Sequence, residues 1–288
     1  MIRIFLYLII AVLFIPAGCS GKKGRNSIGV MTLNIRYDNP RDSINAWPNR
    51  AEMTAAFIMD EKPDLLGLQE VLWRQYVYLD SALADYTSVG VGRSDGARGG
   101  ELNPVFFRND RFSMARTITF WLSGTPDEPG SMAWGAGLPR IVTWVELVDK
   151  INDEHLFFFN THFAHDSDSA RIMSSRMLLN RVAEIAGDFP FVITGDLNML
   201  PSSIGYSVLT GPAESVPLMN DAFEISGNKP EGPLFTFNGF SDTPGRGRID
   251  YIFVRNGMMV YEHKTHEIKE NGIYISDHWP VSAVVTYK

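Results

Sequence analysis

From Ile28 onward, apolar residues gather in short blocks bounded by glycine, proline, asparagine and aspartate. Eight blocks rich in valine, isoleucine, leucine and phenylalanine have the length of buried strands: Ile28–Ile35, Asp64–Gln69, Val105–Arg108, Ile141–Leu147, Leu156–Thr161, Phe191–Thr194, Ile249–Val254 and Val281–Thr286. Three longer stretches, Arg50–Met59, Trp73–Leu83 and Ser169–Ala186, predict helices. In the last of these, Ile172, Leu179, Val182, Ala183 and Ala186 recur at helical spacing. Strands and helices alternate with no linker, repeat or low-complexity block, so residues 28–288 read as one α/β (α+β) domain. The stretch Trp121–Pro139 carries three prolines and four glycines and predicts a long ordered loop.

The first residues follow another pattern. Arg3 precedes the apolar run Ile4–Ile15, and Ala17-Gly18-Cys19 follows it. The run is shorter than the roughly 20 apolar residues of a membrane-spanning helix and fits the core of a signal peptide. Ala17-Gly18-Cys19 resembles a bacterial lipobox, with Pro16 where that pattern prefers leucine. Residues 1–18 are therefore expected to be a lipoprotein-type signal peptide and Cys19 the lipid attachment. The polar, basic segment 19–27 reads as a tether. Cys19 is the one cysteine, which rules out an internal disulfide. The expected location is outside the cytoplasm, lipid-anchored to a bacterial membrane and facing the periplasm or the cell surface.

Composition changes this picture in one respect. The formal net charge is −7 and no basic stripe is visible, which argues against tight binding of duplex DNA. Otherwise 45% hydrophobic and 20% charged residues describe an ordinary folded core, and a monomer is expected.

The chemistry lies at the strand edges. Asp64–Gln69 runs into Glu70, and Phe191–Thr194 into Gly195-Asp196-Leu197-Asn198. Asp250 opens one strand block, and Asp277-His278 precedes the last. Asn34 closes the first block, and His162 follows Asn160-Thr161. A single polar residue at a strand end commonly caps a turn. Six such edges can converge on one rim of a layered domain, and four carboxylates there would repel one another unless a cation sat among them. An oxygen-rich, cysteine-free donor set favours Mg²⁺ or Mn²⁺. Metal, imidazole, carboxylate and amide together suit attack of water on phosphorus.

Asn34, Leu68-Gln69-Glu70, Asn160-Thr161-His162, Gly195–Asn198, Arg248–Tyr251 and Ser276-Asp277-His278 stand in the order of the endonuclease/exonuclease/phosphatase superfamily, which the whole segment from Ile28 to the C-terminus resembles. Uncharacterised bacterial members are similar in Arg36–Asn39, Asn45–Arg50, Phe120–Ser123 and Leu138–Arg140. The resemblance implies a four-layer sandwich, two face-to-face mixed β-sheets flanked by helices, with the site at one sheet edge. It implies Glu70 as main metal ligand with Asn34 and Asp277 assisting, Asp196 activating water and Asn198 holding a phosphate oxygen. It further implies His278 at the scissile phosphate or as base, Asp250 orienting it, and His162 stabilising phosphoryl charge or aiding the leaving group. Arg36 stands where abasic-site endonucleases carry a second acidic residue, which bears on a second ion and on that specificity.

Arg36, Arg140, His165, Trp121 and Phe240 are expected substrate contacts, with Trp134 and Phe237 also at the pocket mouth. On an extended strand His162 and His165 point to opposite faces, which argues against their sharing a zinc ion. The expected reaction is metal-dependent hydrolysis of a sugar, nucleotide, inositol or lipid-headgroup phosphate. The alternatives are a secreted endonuclease or exonuclease and a catalytically inactive ligand-binding lipoprotein.

Overall fold

The computed structural model describes residues 26–211, 219–243, 245 and 247–288. The expected signal peptide, Cys19 and most of the tether lie outside the described residues. Among the described residues no helix is long and apolar enough to cross a membrane.

In chain order, the first half forms β1 (Ile28–Asn34), α1 (Trp47–Glu61), β2 (Leu65–Gln69), α2 (Trp73–Ala82), β3 (Tyr86–Val89), β4 (Val105–Arg108), β5 (Phe112–Trp121) and β6 (Ile141–Asp149). There follow β7 (His155–His162), α3 (Asp168–Ala186), β8 (Phe191–Asp196), α4 (Ile204–Thr210), β9 (Asn220–Asp221), β10 (Asp250–Arg255) and β11 (Met258–Thr265). A two-residue hairpin, β12 (Lys269–Glu270) with β13 (Ile273–Tyr274), precedes β14 (Val281–Tyr287).

Two six-stranded mixed sheets result, ordered β11-β14-β1-β2-β4-β3 and β5-β6-β7-β8-β10-β9. Each has a parallel pair at its heart, β1 with β2 and β7 with β8. Strand alternation sorts the side chains into layers. Ile28, Val30, Leu65, Leu156, Phe158, Val192, Ile252 and Val254 point inward and form one core between the sheets. Outward residues of the first sheet, Met31, Leu33, Leu66 and Leu68, pack on Ala51, Ala55 and Ile58 of α1 and Leu79 of α2. Those of the second, Phe157, Phe159, Ile193 and Phe253, pack on Leu178 and Val182 of α3. Each such large side chain contributes roughly 1.5–3 kcal/mol when buried. The four-layer sandwich is the observed fold.

The eight expected strands and three expected helices are all present, Val105–Arg108 with its expected bounds and the others with ends moved by at most three residues. Edge strands β3, β5 and β11 were not expected. β5 keeps Ser113 to Thr119 at least partly exposed, and β11, though it opens with Met258–Tyr261, mixes exposed and buried positions around a bulge, so neither is buried along its length as the central strands are.

Candidate active site

The polar side chains are placed by the strand period that builds the inter-sheet core. Along β1 the inward series Ile28, Val30 continues as Thr32, Asn34. Along β7, Leu156 and Phe158 give way to Asn160 and His162, and along β8, Val192 gives way to Thr194 and Asp196. One end of the inter-sheet space is hydrocarbon and the other polar. Register then sets neighbours side by side: Asp196 pairs across the ladder with His162 on one side and Asp250 on the other. Gly67 permits close approach of the sheets, since a Cβ there would lie 2.0 Å from Thr194 Oγ1 and 2.6 Å from Asn160 Oδ1. Asn160 joins the sheets: its Nδ2 donates to the carbonyls of Leu68 (2.7 Å) and Pro104 (2.9 Å), and its Oδ1 accepts from Gln69 Nε2 (2.6 Å).

Around this seam the catalytic candidates meet. Asn34 Nδ2 donates at 3.0 Å to both Glu70 Oε1 and Asp196 Oδ2, while its Oδ1 accepts from Arg36 N at 2.9 Å. The Asn34 oxygen is thus turned to the backbone and its amide clasps two carboxylates. Asp196 Oδ1 accepts from Asn198 N (2.9 Å), and Asn198 Nδ2 lies 3.0 Å from His162 Nε2. His278 Nδ1 meets Asp250 Oδ2 at 2.9 Å, with its Nε2 3.8 Å from Asp196 Oδ2. Glu70, Arg36, Asn198 and Phe240 all have φ between 50° and 58°, left-handed positions that asparagine adopts readily but that are uncommon for the other three, and Glu70, Arg36 and Asn198 stand on the cavity wall.

A cavity of about 510 Å³ opens onto these groups, lined among others by Arg36, Tyr37, Glu70, Asp196, Asn198, Phe237, Asp277 and His278. His162, His165, Arg140, Leu138 and Glu101 complete its wall. Two expected contacts lie elsewhere. Trp121 is buried, donates from Nε1 to the Arg93 carbonyl (2.7 Å) and faces a different cavity beside Val89 and Thr119. Phe240 packs edge-on against Tyr274 outside the wall, whereas Phe237 sits edge-on to His278 at 5.1 Å. The aromatic contact therefore belongs to Phe237. Trp134 packs against the core under α3. His162 and His165 reach one cavity because β7 ends at His162 and the chain then turns, which ends the strand alternation. Glu101 was not singled out in the sequence; only the tertiary fold brings its loop to the site.

Charge is distributed unevenly. Burial raises Asp196, the neighbouring Asp250 raises it further, and His278 only partly opposes them, so its carboxyl is pushed up to about 7. Burial would lower His278, but Asp250 and Asp196 outweigh it and hold the imidazole well above its usual range, cationic at neutral pH. His162 goes the opposite way: burial, then Arg140 and Arg93, keep it neutral.

The donors fit a hard divalent cation. Glu70 and Asp277 keep side chains 14% and 10% exposed; Glu70 accepts from Asn34 Nδ2 and Tyr37 N, and Arg36 Nη1 lies 3.9 Å from Glu70 and 3.7 Å from Asp277, too far for a hydrogen bond to either. Asp196, Asp250 and His278 also bring ligand atoms within 4.8 Å of one another. There the Asp250–His278 hydrogen bond already uses two of the three groups, so Glu70 and Asp277 make the better oxygen site.

A family model described as Endonuclease/Exonuclease/phosphatase family matches residues 31–278. The chain belongs to this family. Its members hydrolyse phosphoester bonds and generally depend on divalent metal. Among solved structures, an endonuclease/exonuclease/phosphatase of Bacteroides vulgatus is 35% identical, with TM-score 0.87 over 92% of this chain and 100% of that one. A mannosyl-6-phosphatase of Bacteroides thetaiotaomicron is 30% identical, with TM-score 0.82 over 90% and 100%. An uncharacterized protein of Acanthamoeba polyphaga mimivirus matches at 26% identity over 186 residues, 59% of this chain and 66% of its own length. The chain thus spans just under two thirds of that curated relative.

Proposed function

We propose that this family member hydrolyses phosphoesters of small molecules by attack of water on phosphorus, with Mg²⁺ or Mn²⁺ held at Glu70 and Asp277. The observation carrying this reading is the meeting of Asp196, Asn198 and His278 on one cavity beside Glu70, with Asp250 holding His278 from behind through Nδ1. A bound ion would neutralise phosphoryl charge and polarise phosphorus. Asp196, poised near neutrality, accepts the proton of the attacking water as the new O–P bond forms and the ester P–O bond breaks. The departing oxygen leaves as an alcohol on taking a proton from solvent. Cationic His278, held through Nδ1 by Asp250, presents Nε2–H to a phosphoryl oxygen; its charge makes it a poor base. Asn198 Nδ2 is engaged by the Phe163 carbonyl (3.2 Å) and by neutral His162 Nε2 (3.0 Å), so in this arrangement Asn198 orients His162, and holding a phosphate oxygen would require its amide to leave one of these partners.

The resemblance to a mannosyl-6-phosphatase supports a small phosphorylated substrate, and the net charge of −7 disfavours duplex DNA. A monomer tethered outside the cytoplasm by lipid on Cys19 completes the proposal, supported by the apolar run before that residue. The deciding experiment offers purified protein, with Mg²⁺, a panel of sugar phosphates, nucleotides, bis-p-nitrophenyl phosphate, plasmid DNA and RNA. Turnover of small phosphoesters is expected. Efficient cleavage of nucleic acid alone would establish the nuclease alternative, and no cleavage with any divalent metal would favour a binding lipoprotein.

A further inference from the structure

Beyond the groups that face phosphorus, the catalytic cavity has a second polar wall that the hydrolytic chemistry leaves unused. Arg140 is 4% exposed, yet its Nε and Nη1 are buried with no hydrogen-bond partner among the described residues. Its Nη2 alone is engaged, 3.0 Å from Nδ1 of the exposed His165 at the mouth. Buried guanidinium donors are rarely left unmet, so Arg140, a residue of the cavity wall, carries donors that the described residues do not satisfy. Beside it stands Glu101, whose Oε1 accepts from Arg93 Nη2 at 2.8 Å. Its Oε2 faces His162 Nδ1, itself buried and unpartnered among the described residues, across 3.9 Å, a gap longer than a hydrogen bond.

Unmet guanidinium donors and an open carboxylate oxygen on one cavity select among ligands. A second phosphate would suit Arg140 but be repelled by Glu101. A flat base would need aromatic faces to sandwich it; of the two aromatic rings on the wall, Tyr37 has the Arg36 guanidinium over one face at 4.5 Å and Phe237 stands edge-on to His278, while Trp121 faces another cavity. A hydroxyl both donates and accepts, so neighbouring hydroxyls can give hydrogen bonds to Glu101 and take them from Arg140. Resting on the reading of this site as a phosphoester hydrolase, we infer that Glu101 and Arg140 form a hydroxyl-reading subsite and that the substrate is the phosphomonoester of a polyol, a sugar or cyclitol. Arg93 holds Glu101 in place, and His165 steadies Arg140 from the rim.

The test compares kcat/KM, with Mg²⁺, for mannose 6-phosphate, glucose 6-phosphate, myo-inositol 1-phosphate, AMP, ribose 5-phosphate and p-nitrophenyl phosphate. The last carries no hydroxyl beside its ester. The wild type is expected to prefer a polyol phosphate, and the hexose and inositol arms identify which. Glu101→Gln, of nearly equal size, and Arg140→Lys should each lower the ratio of polyol phosphate to p-nitrophenyl phosphate at least tenfold, chiefly through KM. Equal losses on both substrates, a wild-type preference for p-nitrophenyl phosphate, or a preference for AMP over ribose 5-phosphate, which shares its hydroxyls and lacks the base, would overturn the subsite. If the wild type cleaves none of these esters, the hydrolase reading fails instead. Calorimetry with mannose 6-phosphate then decides the subsite: binding at least tenfold weaker in Glu101→Gln supports it, while equal binding or none overturns it.

Discussion

Asp196 shows how much work a single position does here. It accepts from Asn34 and Asn198, lies between two histidines of opposite charge state, and is 1% exposed. Replacing it by alanine should cost turnover about 10²–10⁴-fold, the usual span for a general base, and leave the melting temperature near that of the wild type. Retained activity would remove Asp196 from the water-activating role. His278 owes its raised pKa to Asp250 and Asp196, so activity that needs the imidazolium is lost as pH rises through that pKa. Asp250→Asn should lower the pKa and move the alkaline loss to lower pH in a kcat profile; an unmoved limb would detach His278 from that limb. Glu70→Ala should reduce activity in a way partly restored by more Mg²⁺. At this scale the sequence was informative about residue types, because chemistry restricts which side chains can stand at such edges. It misplaced Trp121 and Phe240, since aromatic residues serve cores and pockets alike and only packing separates the two uses.

Among elements, the narrow seam between sheets sets the geometry. At Gly67 an added methyl would collide with Thr194 Oγ1 and Asn160 Oδ1. Gly67→Ala should destabilise by about 1–3 kcal/mol, as overpacked cores do. Adding Thr194→Ala should restore part of that loss, a coupling that a double-mutant cycle in urea would read; strict additivity would mean the seam relaxes elsewhere. Arg50 of α1 plays a comparable part at the site's edge. It is fully buried and donates to carbonyls of Ile35, Arg36 (2.8 Å), Asn45 (2.7 Å) and Ile275 (3.1 Å), joining the end of β1 to the segment before Asp277. Nothing in local periodicity marks this role, because it depends on a carbonyl 225 residues away. Central strands were legible because burial on both faces writes continuous apolar runs; edge strands β5 and β11 lack that imprint.

At the scale of the whole molecule, His263 and His266 are buried and held down to about 3 and 4, by burial first and then by neighbouring positive charge. Both fold as neutral imidazoles, so the unfolded chain binds protons more readily below its own pKa near 6.5. Stability is complete above that pH and declines as pH falls toward the folded values, by about 4 kcal/mol for the pair at pH 5. Denaturant midpoints at pH 7.5 and 5 should show the decline, and His263→Leu should lessen it; a flat profile would mean that both rings are solvated. For the tether, Cys19→Ser should shift the protein from the membrane to the soluble fraction of cells; an unchanged distribution would refute lipid attachment there.

From the order of residues alone came the alternation of strands and helices, the family resemblance and the set of polar strand ends, because burial and chemistry leave local traces in a chain. The tertiary structure decided which of those ends share a cavity, the opposite charge states of His162 and His278, and that Glu101 stands beside Arg140. Those properties arise from side chains far apart in sequence acting on one another at a few ångströms in a medium from which water is largely excluded.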